Sequence, residues 1–117
     1  MDKVIVYGIP NCGSVKKAIS WLEKNNIEFS FHDYKKKGIT EEKLIAWIKK
    51  SGWEILFNKK GTTWRAMADQ YENKVLTEKM ALRIMMENNS IIKRPVIEKG
   101  KQLIVGYEEP LLEKILG

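Results

Sequence analysis

Residues 4–14 of the chain are VIVYGIPNCGS, and the fold can be worked out from this stretch. Val4 to Tyr7 form an apolar run typical of a buried strand, and residues 8–11 carry the glycine and proline of a turn. Cys12 then stands where a helix should begin. A strand followed directly by a helix is typical of α/β proteins, so we predict that class.

The first helix is predicted from Gly13 to about Asn25, because apolar residues recur along it at helical spacing. They are Val15, Ala18, Ile19 and Leu22. Beyond the helix, apolar residues alternate with polar ones from Ile27 to Phe31, which is the period of a half-buried strand. A strand, a helix and a strand in this order predict a βαβ unit with parallel strands and a right-handed crossover.

The middle of the chain is predicted to be helical. Thr40 is suited to cap one helix and Thr77 to start another, and Gly52 is suited to end the first. Residues 61–64 should form a loop that caps a short helix through Met67 or Ala68. Residues 53–57 are apolar but too few to assign. The last third returns to sheet, with a hairpin around residues 99–101 and a helix opened by Pro110. We therefore expect one domain over residues 1–117, ordered βαβ, a helical insertion at about residues 36–92, then ββα.

The composition predicts an ordinary core under a basic surface. Hydrophobic residues make up 44% of the chain, charged residues make up 31%, and the formal net charge is +6. Such a surface favours an anionic partner, such as a phosphate-like oxyanion, glutathione or an acidic protein surface. The lysine clusters lack interleaved aromatic residues, so direct binding to nucleic acid is not expected.

Several other classes of protein are disfavoured. No apolar stretch is long enough to span a bilayer, and the first residues lead straight into a strand, so we expect no signal peptide or anchor. One cysteine and one histidine permit no intrachain disulfide and disfavour a zinc site, so no bound metal is expected. We expect a cytoplasmic monomer.

Cys12 has two interpretations. A lone cysteine in an intracellular protein often serves as a small buried hydrophobe. At the start of a helix, however, a thiol meets backbone N–H groups without intrahelical partners and the positive end of the helix dipole. Both favour the thiolate, which is the nucleophilic form, so we prefer the interpretation of Cys12 as a reactive thiol.

Three further segments carry a resemblance to a known family. They are YGIPNC at residues 7–12, GTTWR at residues 61–65, and IIKRP at residues 91–95 followed by VGY at residues 105–107. Together with the order of elements, they resemble the arsenate reductase-like (ArsC/Spx/YffB) family of bacteria, and most closely its YffB-like group. The resemblance covers essentially the whole chain. It implies a thioredoxin-like, glutaredoxin-type fold with a four-stranded mixed sheet.

The resemblance also implies a site around Cys12. It makes Cys12 the nucleophile and Arg94 its catalytic partner, with Pro95 in cis shaping the site. The guanidinium of Arg94 offers a planar fork of donors to an oxyanion or carboxylate. Residues expected to stabilise the thiolate or an oxyanion are Gly13, Ser14, Val15 and Lys16. Candidate substrate-binding residues are Asn11, Lys60 and Arg65.

The chain also departs from the pattern of the arsenate reductases in this family. They carry a histidine where this chain has Gly8, and serine and arginine where it has Val15 and Lys16. The segment from Leu103 to Tyr107 offers no counterpart for a further arginine. Arsenate is a multiply charged oxyanion whose capture depends on such donors, so we predict weak arsenate reduction.

The function we predict is that of a thiol-dependent oxidoreductase. Cys12 acts as a monothiol nucleophile, and glutathione or a thiol protein resolves the adduct as co-substrate, without a bound cofactor. One alternative is a Spx-like transcriptional regulator that binds RNA polymerase, although Val15 stands where redox-sensing regulators carry a second cysteine. The other alternative is a true arsenate reductase.

Overall fold

A computed structural model of the protein describes residues 3–72 and 75–117. The chain divides into two compact units. The sheet unit contains the described residues up to Gly38 together with residues 94–117, and the helical unit contains the described residues between 39 and 93. The expectation of one domain with an insertion at about residues 36–92 stays a prediction.

The elements follow the predicted order. They are β1 (Val4–Gly8), α1 (Gly13–Lys24), β2 (Ser30–Asp33), α2 (Tyr34–Lys37), α3 (Glu41–Ser51), α4 (Trp53–Leu56), α5 (Thr62–Met67), α6 (Glu78–Glu87), β3 (Val96–Lys99), β4 (Gln102–Val105) and α7 (Glu109–Leu116). Short 3₁₀ turns at Ala68–Tyr71 and Asn89–Ile91 follow α5 and α6.

The sheet unit is built on four strands in the order β2-β1-β3-β4. Strand β1 runs parallel to β2 and antiparallel to β3, and β3 runs antiparallel to β4. This arrangement confirms the predicted α/β, thioredoxin-like fold with a mixed sheet. Gly8 lies opposite Asp33, and Tyr7 lies opposite Val96. The end of β1, the end of β2 and the start of β3 therefore meet at one edge of the sheet, which we call the site edge.

The core of the sheet unit forms where α1 and α7 contribute apolar side chains to those of the strands. Its buried members are Val4, Val6, Ala18, Trp21, Leu22, Ile97, Ile104 and Leu112. The predicted apolar face of α1 is confirmed for Val15, Ala18 and Leu22, all of which are fully buried.

Strand β2 begins later than the alternating pattern predicted. Pairing with β1 starts at Ser30 opposite Ile5, so Ile27 and Phe29 lie outside the ladder. The reason is the end of α1: Asn26 has a φ of 55°, and the N–H of Ile27 bonds back to the carbonyl of Leu22 at 3.0 Å. This closing turn uses residues that the alternation had assigned to strand, although their side chains still pack on the core.

In the helical unit, α3, α4 and α6 pack against one another. The predicted caps are confirmed: Thr40 Oγ1 accepts from the N–H of Lys43 at 3.1 Å, and Thr77 Oγ1 accepts from the N–H of Met80 at 3.2 Å. Buried side chains of this unit include Leu44, Trp47, Ile48, Leu56, Ala81, Ile84 and Met85. Within the unassigned apolar run at 53–57, residues Trp53–Leu56 form α4. Helix α5 begins at Thr62, so most of the loop predicted at residues 61–64 is helical.

Candidate active site

Cys12 is half-buried at the N-cap of α1, at the site edge. It follows β1 after a turn in which Pro10 and Asn11 are exposed. Its carbonyl accepts the first helical hydrogen bond, from the N–H of Lys16 at 3.0 Å. Its sulfur makes no capping hydrogen bond of ordinary geometry, so the backbone donors at the start of α1 remain directed at a site that a thiolate can use.

The pKa of the Cys12 thiol is lowered from its ordinary value of 9.0. Partial burial raises this pKa, but the N–H of Val15, the side chain of Arg94 and the N–H of Ser14 all stabilise the thiolate and together prevail. The positive charge of Arg94 acts in the same direction. The predicted reactive thiol therefore has a physical basis in two helix N–H groups and one guanidinium.

Arg94 reaches the sulfur from the start of β3. The Arg94–Pro95 peptide bond is cis, as predicted, and the Arg94 side chain hydrogen-bonds to Cys12. The residue is half-buried, and the interactions with Cys12 and with Tyr34 raise its own pKa in spite of that burial. Arg94 therefore carries its charge at any pH at which the thiolate reacts.

Tyr34 was not predicted from the sequence. Its side chain is buried, with 1% of its surface exposed, and it hydrogen-bonds to Arg94. One feature could have identified it: Tyr34 directly follows β2, whose parallel pairing with β1 brings both strand ends to the same edge. The insertion was predicted to begin at about residue 36, so Tyr34 fell between the predicted strand and that insertion.

The other predicted site residues are placed as follows. The N–H groups of Ser14 and Val15 stabilise the Cys12 thiolate, whereas Gly13 and Lys16 are not among the groups that shift its pKa. Asn11 is exposed in the turn before the cysteine. Lys60 and Arg65 are exposed residues of the helical unit, and their contact with substrate stays a prediction.

Gly8, at the end of β1, lies in close contact with Val15 of α1. A Cβ atom added to Gly8 would lie 2.7 Å from Cγ2 of Val15, which is far closer than such atoms approach. Val15 is fully buried, so it has little freedom to move away. The absence of a side chain at position 8 is therefore coupled to the presence of a branched one at position 15.

Two features are absent from the residues that the structure describes. None of their helices is long and apolar enough to cross a membrane. Among residues 3–72 and 75–117, no cluster of three or more His, Cys, Asp or Glu side chains could hold a metal ion.

Comparisons with known proteins place the chain in a family. A family model described as the ArsC family matches residues 7–115. An uncharacterized protein of Haemophilus influenzae is 41% identical over 91% of this chain and 92% of its own length. The global transcriptional regulator Spx of Lactiplantibacillus plantarum is 27% identical over 97% of this chain and 86% of that protein.

A solved structure agrees with these sequence relatives. The YFFB (PA3664) protein has a TM-score of 0.92 and 36% identity, and the match covers 98% of this chain and 100% of that one. The predicted resemblance to the ArsC/Spx/YffB proteins is confirmed. The chain belongs to the ArsC family.

Proposed function

We propose that the protein is a monothiol oxidoreductase that exchanges disulfides through Cys12 and is returned to its thiolate form by glutathione. The observation that carries this proposal is the convergence of Arg94 and of the Ser14 and Val15 N–H groups on a single half-buried thiol. A structural cysteine needs none of these groups. A nucleophilic cysteine benefits from each of them, because each stabilises the thiolate, which is the form that attacks disulfides.

The reaction needs no second cysteine. The Cys12 thiolate attacks the glutathione sulfur of a mixed disulfide, so that a Cys12–glutathione bond forms while the original S–S bond breaks. The released partner leaves as a thiolate and takes a proton from water. A second glutathione thiolate then attacks the glutathione sulfur of the adduct, releasing the Cys12 thiolate and glutathione disulfide.

A basic groove beside the first helix supports glutathione as the co-substrate. Lys16, Lys17 and Lys24 line this groove of about 380 Å³ together with Trp21 and Glu109. Glutathione carries carboxylates at both ends and an ammonium group at one. The lysines suit its carboxylates and Glu109 suits its ammonium group, while Lys16 lies one helical turn after Cys12.

Reversing charge in this groove should weaken the use of glutathione. We expect Lys17→Glu with Lys24→Glu to raise the KM for glutathione about fivefold at low salt, because the groove then repels carboxylates. The matched control is Lys49→Glu with Lys50→Glu, an exposed pair at the end of α3 in the helical unit. Steady-state exchange kinetics measure the effect. An equal loss with the neutral thiol 2-mercaptoethanol would show that the groove does not recognise glutathione.

The alternative function is that of a Spx-like regulator that binds RNA polymerase. Its specific support is the match to a global transcriptional regulator over nearly the whole chain. A disulfide switch within the chain is not available to such a regulator here, because Cys12 is the only cysteine. In this alternative, modification of Cys12 would alter binding and would not lead to turnover.

One experiment separates the two functions. The protein is incubated with a glutathionylated peptide alone, and the adduct is identified by mass spectrometry. Glutathione is then added, and the release of glutathione disulfide is followed with time. We expect one glutathione on Cys12 and release of more than one equivalent of glutathione disulfide. An adduct that forms but does not turn over, together with retention of the protein by purified RNA polymerase, would support the regulator instead.

A further inference from the structure

We propose that Tyr34 is a positioning residue that holds the Arg94 guanidinium against the Cys12 sulfur. This inference rests on the proposed role of Cys12 as the nucleophile. A long arginine side chain has many conformations of similar energy, so Arg94 and Cys12 alone do not fix the guanidinium against the sulfur. The buried Tyr34 supplies the additional contact. The three residues meet at the site edge, each from a different strand end.

The backbone of Tyr34 is held on both sides. Asp33 Oδ1 accepts from the N–H groups of Lys35 at 3.0 Å and of Lys36 at 3.3 Å, so α2 has a capped beginning. At its other end, the N–H of Gly38 donates to the carbonyl of Tyr34 at 2.7 Å. Both ends of the four-residue helix α2 are therefore closed by hydrogen bonds, which restrain the backbone of Tyr34.

His32 ties this segment back to the sheet. Its Nε2 lies 2.9 Å from the carbonyl oxygen of Gly38, and its ring lies 5.0 Å from that of Tyr7. Tyr7 is a buried residue of β1, the strand that leads to Cys12. The segment from His32 to Gly38, which contains Tyr34, is thus connected to the strand that leads to Cys12.

The side chain of Tyr34 completes the connection. The guanidinium of Arg94 donates to the phenol oxygen of Tyr34 and also hydrogen-bonds to Cys12. A guanidinium has donors on separate nitrogens in a rigid plane, so the two contacts do not compete. A fixed acceptor on one side of that plane restricts where the remaining donors can point.

The phenol keeps this role over a wide pH range. Burial raises the pKa of Tyr34 to about 12, although the neighbouring Arg94 opposes the rise. The phenol therefore stays neutral wherever the thiolate reacts, and it accepts a hydrogen bond without cancelling the charge of Arg94. A carboxylate in its place would cancel that charge and weaken the effect of Arg94 on the thiol.

The test measures the reactivity of Cys12 in the absence of any substrate. Alkylation by iodoacetamide reports on this residue alone, since the chain has one cysteine. We expect Tyr34→Phe to raise the midpoint of the pH profile and to slow alkylation at pH 7 about threefold, as loss of one hydrogen bond would. Tyr107→Phe is the control. The exposed hydroxyl of Tyr107 contacts Glu109 at 3.5 Å, and Tyr107 is not among the groups that shift the pKa of Cys12.

A double-mutant cycle shows whether Tyr34 acts through Arg94. Arg94→Met alone should slow alkylation about tenfold, because it removes a hydrogen bond to a charged group. In that background, Tyr34→Phe should have no further effect. Independent effects that multiply, or an unchanged profile in the single Tyr34→Phe variant, would overturn the proposal.

A second pair of variants tests the same connection without altering the tyrosine. Asp33→Ala removes the cap of α2, whereas Asp33→Asn removes the same charge and keeps a capping oxygen. We expect slower alkylation for alanine than for asparagine, and equal rates for the two would count against the proposal. None of these readouts requires turnover, so the proposal for Tyr34 and the proposed exchange reaction can fail separately.

Discussion

Replacement of Cys12 by serine is expected to abolish disulfide exchange and to leave the protein at least as stable as before. Exchange requires a sulfur nucleophile, and no other cysteine in the chain can supply one. Turnover of the glutathionylated peptide should therefore fall to the rate without protein. Persistent turnover by Cys12→Ser would show that the reaction does not pass through this residue.

The expected effect on stability follows from the position of Cys12. It occupies an extended N-cap, with φ −98° and ψ 128°, and its sulfur makes no capping hydrogen bond of ordinary geometry, although the N–H groups of Ser14 and Val15 stabilise its thiolate. Serine is among the preferred N-cap residues, and the threonines at the two comparable helix starts do form such bonds. We expect the free energy of unfolding to rise by up to about 1 kcal/mol at mildly acidic pH, measured by denaturant titration.

The difference in the free energy of unfolding between Cys12→Ser and the unmodified protein should decrease as the pH rises. Because the pKa of Cys12 is lower in the folded chain than its ordinary value of 9.0, folding stabilises the thiolate relative to the thiol. That stabilisation is fully present above pH 9.0 and is lost as the pH falls through the lowered pKa. The advantage of serine should therefore shrink as the pH rises towards 9.0. An advantage that grows with pH would mean that the fold destabilises the thiolate.

Arsenate reduction is expected to be at least about a hundredfold slower than in an arsenate reductase of the family, since loss of one donor to a developing oxyanion has effects of this size. The imidazole at position 8 and the hydroxyl at position 15 that those enzymes are expected to use are both missing here. The strand from Leu103 to Val105 supplies no guanidinium. The measurement is arsenite formation with glutathione and glutaredoxin present.

The structure adds a reason why a single substitution should not restore this activity. A side chain at Gly8 would collide with Val15, whose N–H helps to stabilise the Cys12 thiolate. We therefore expect Gly8→His alone to destabilise the protein by about 1–3 kcal/mol through overpacking. Combining it with Val15→Ser should relieve the collision and give the higher arsenate activity of the two variants. Robust arsenate turnover by the unmodified protein would show that Arg94 and the helix N–H groups are sufficient.

Only part of the candidate site could be predicted from local sequence. Cys12 could be identified because a strand, a turn and a helix follow one another within a few residues, and each leaves a recognisable pattern. Arg94 and Pro95 were identified by resemblance to a family and not by their own chemistry. The start of β2 was placed too early, because apolar alternation does not reveal that the closing turn of α1 extends to Ile27.

Periodicity and capping residues alone were enough to establish the order of elements, the apolar face of α1 and the helix starts at Thr40 and Thr77, because these depend on neighbours a few residues apart. The partnership of Tyr34 with Arg94 depends on something else. These residues are 60 positions apart in the chain, and they meet only because β2 and β3 flank β1 and bring their ends to one edge. The same holds for Gly8 and Val15, whose fit is a matter of ångströms between atoms of a strand and a helix. Such contacts follow from strand register and packing, which no short segment of sequence specifies.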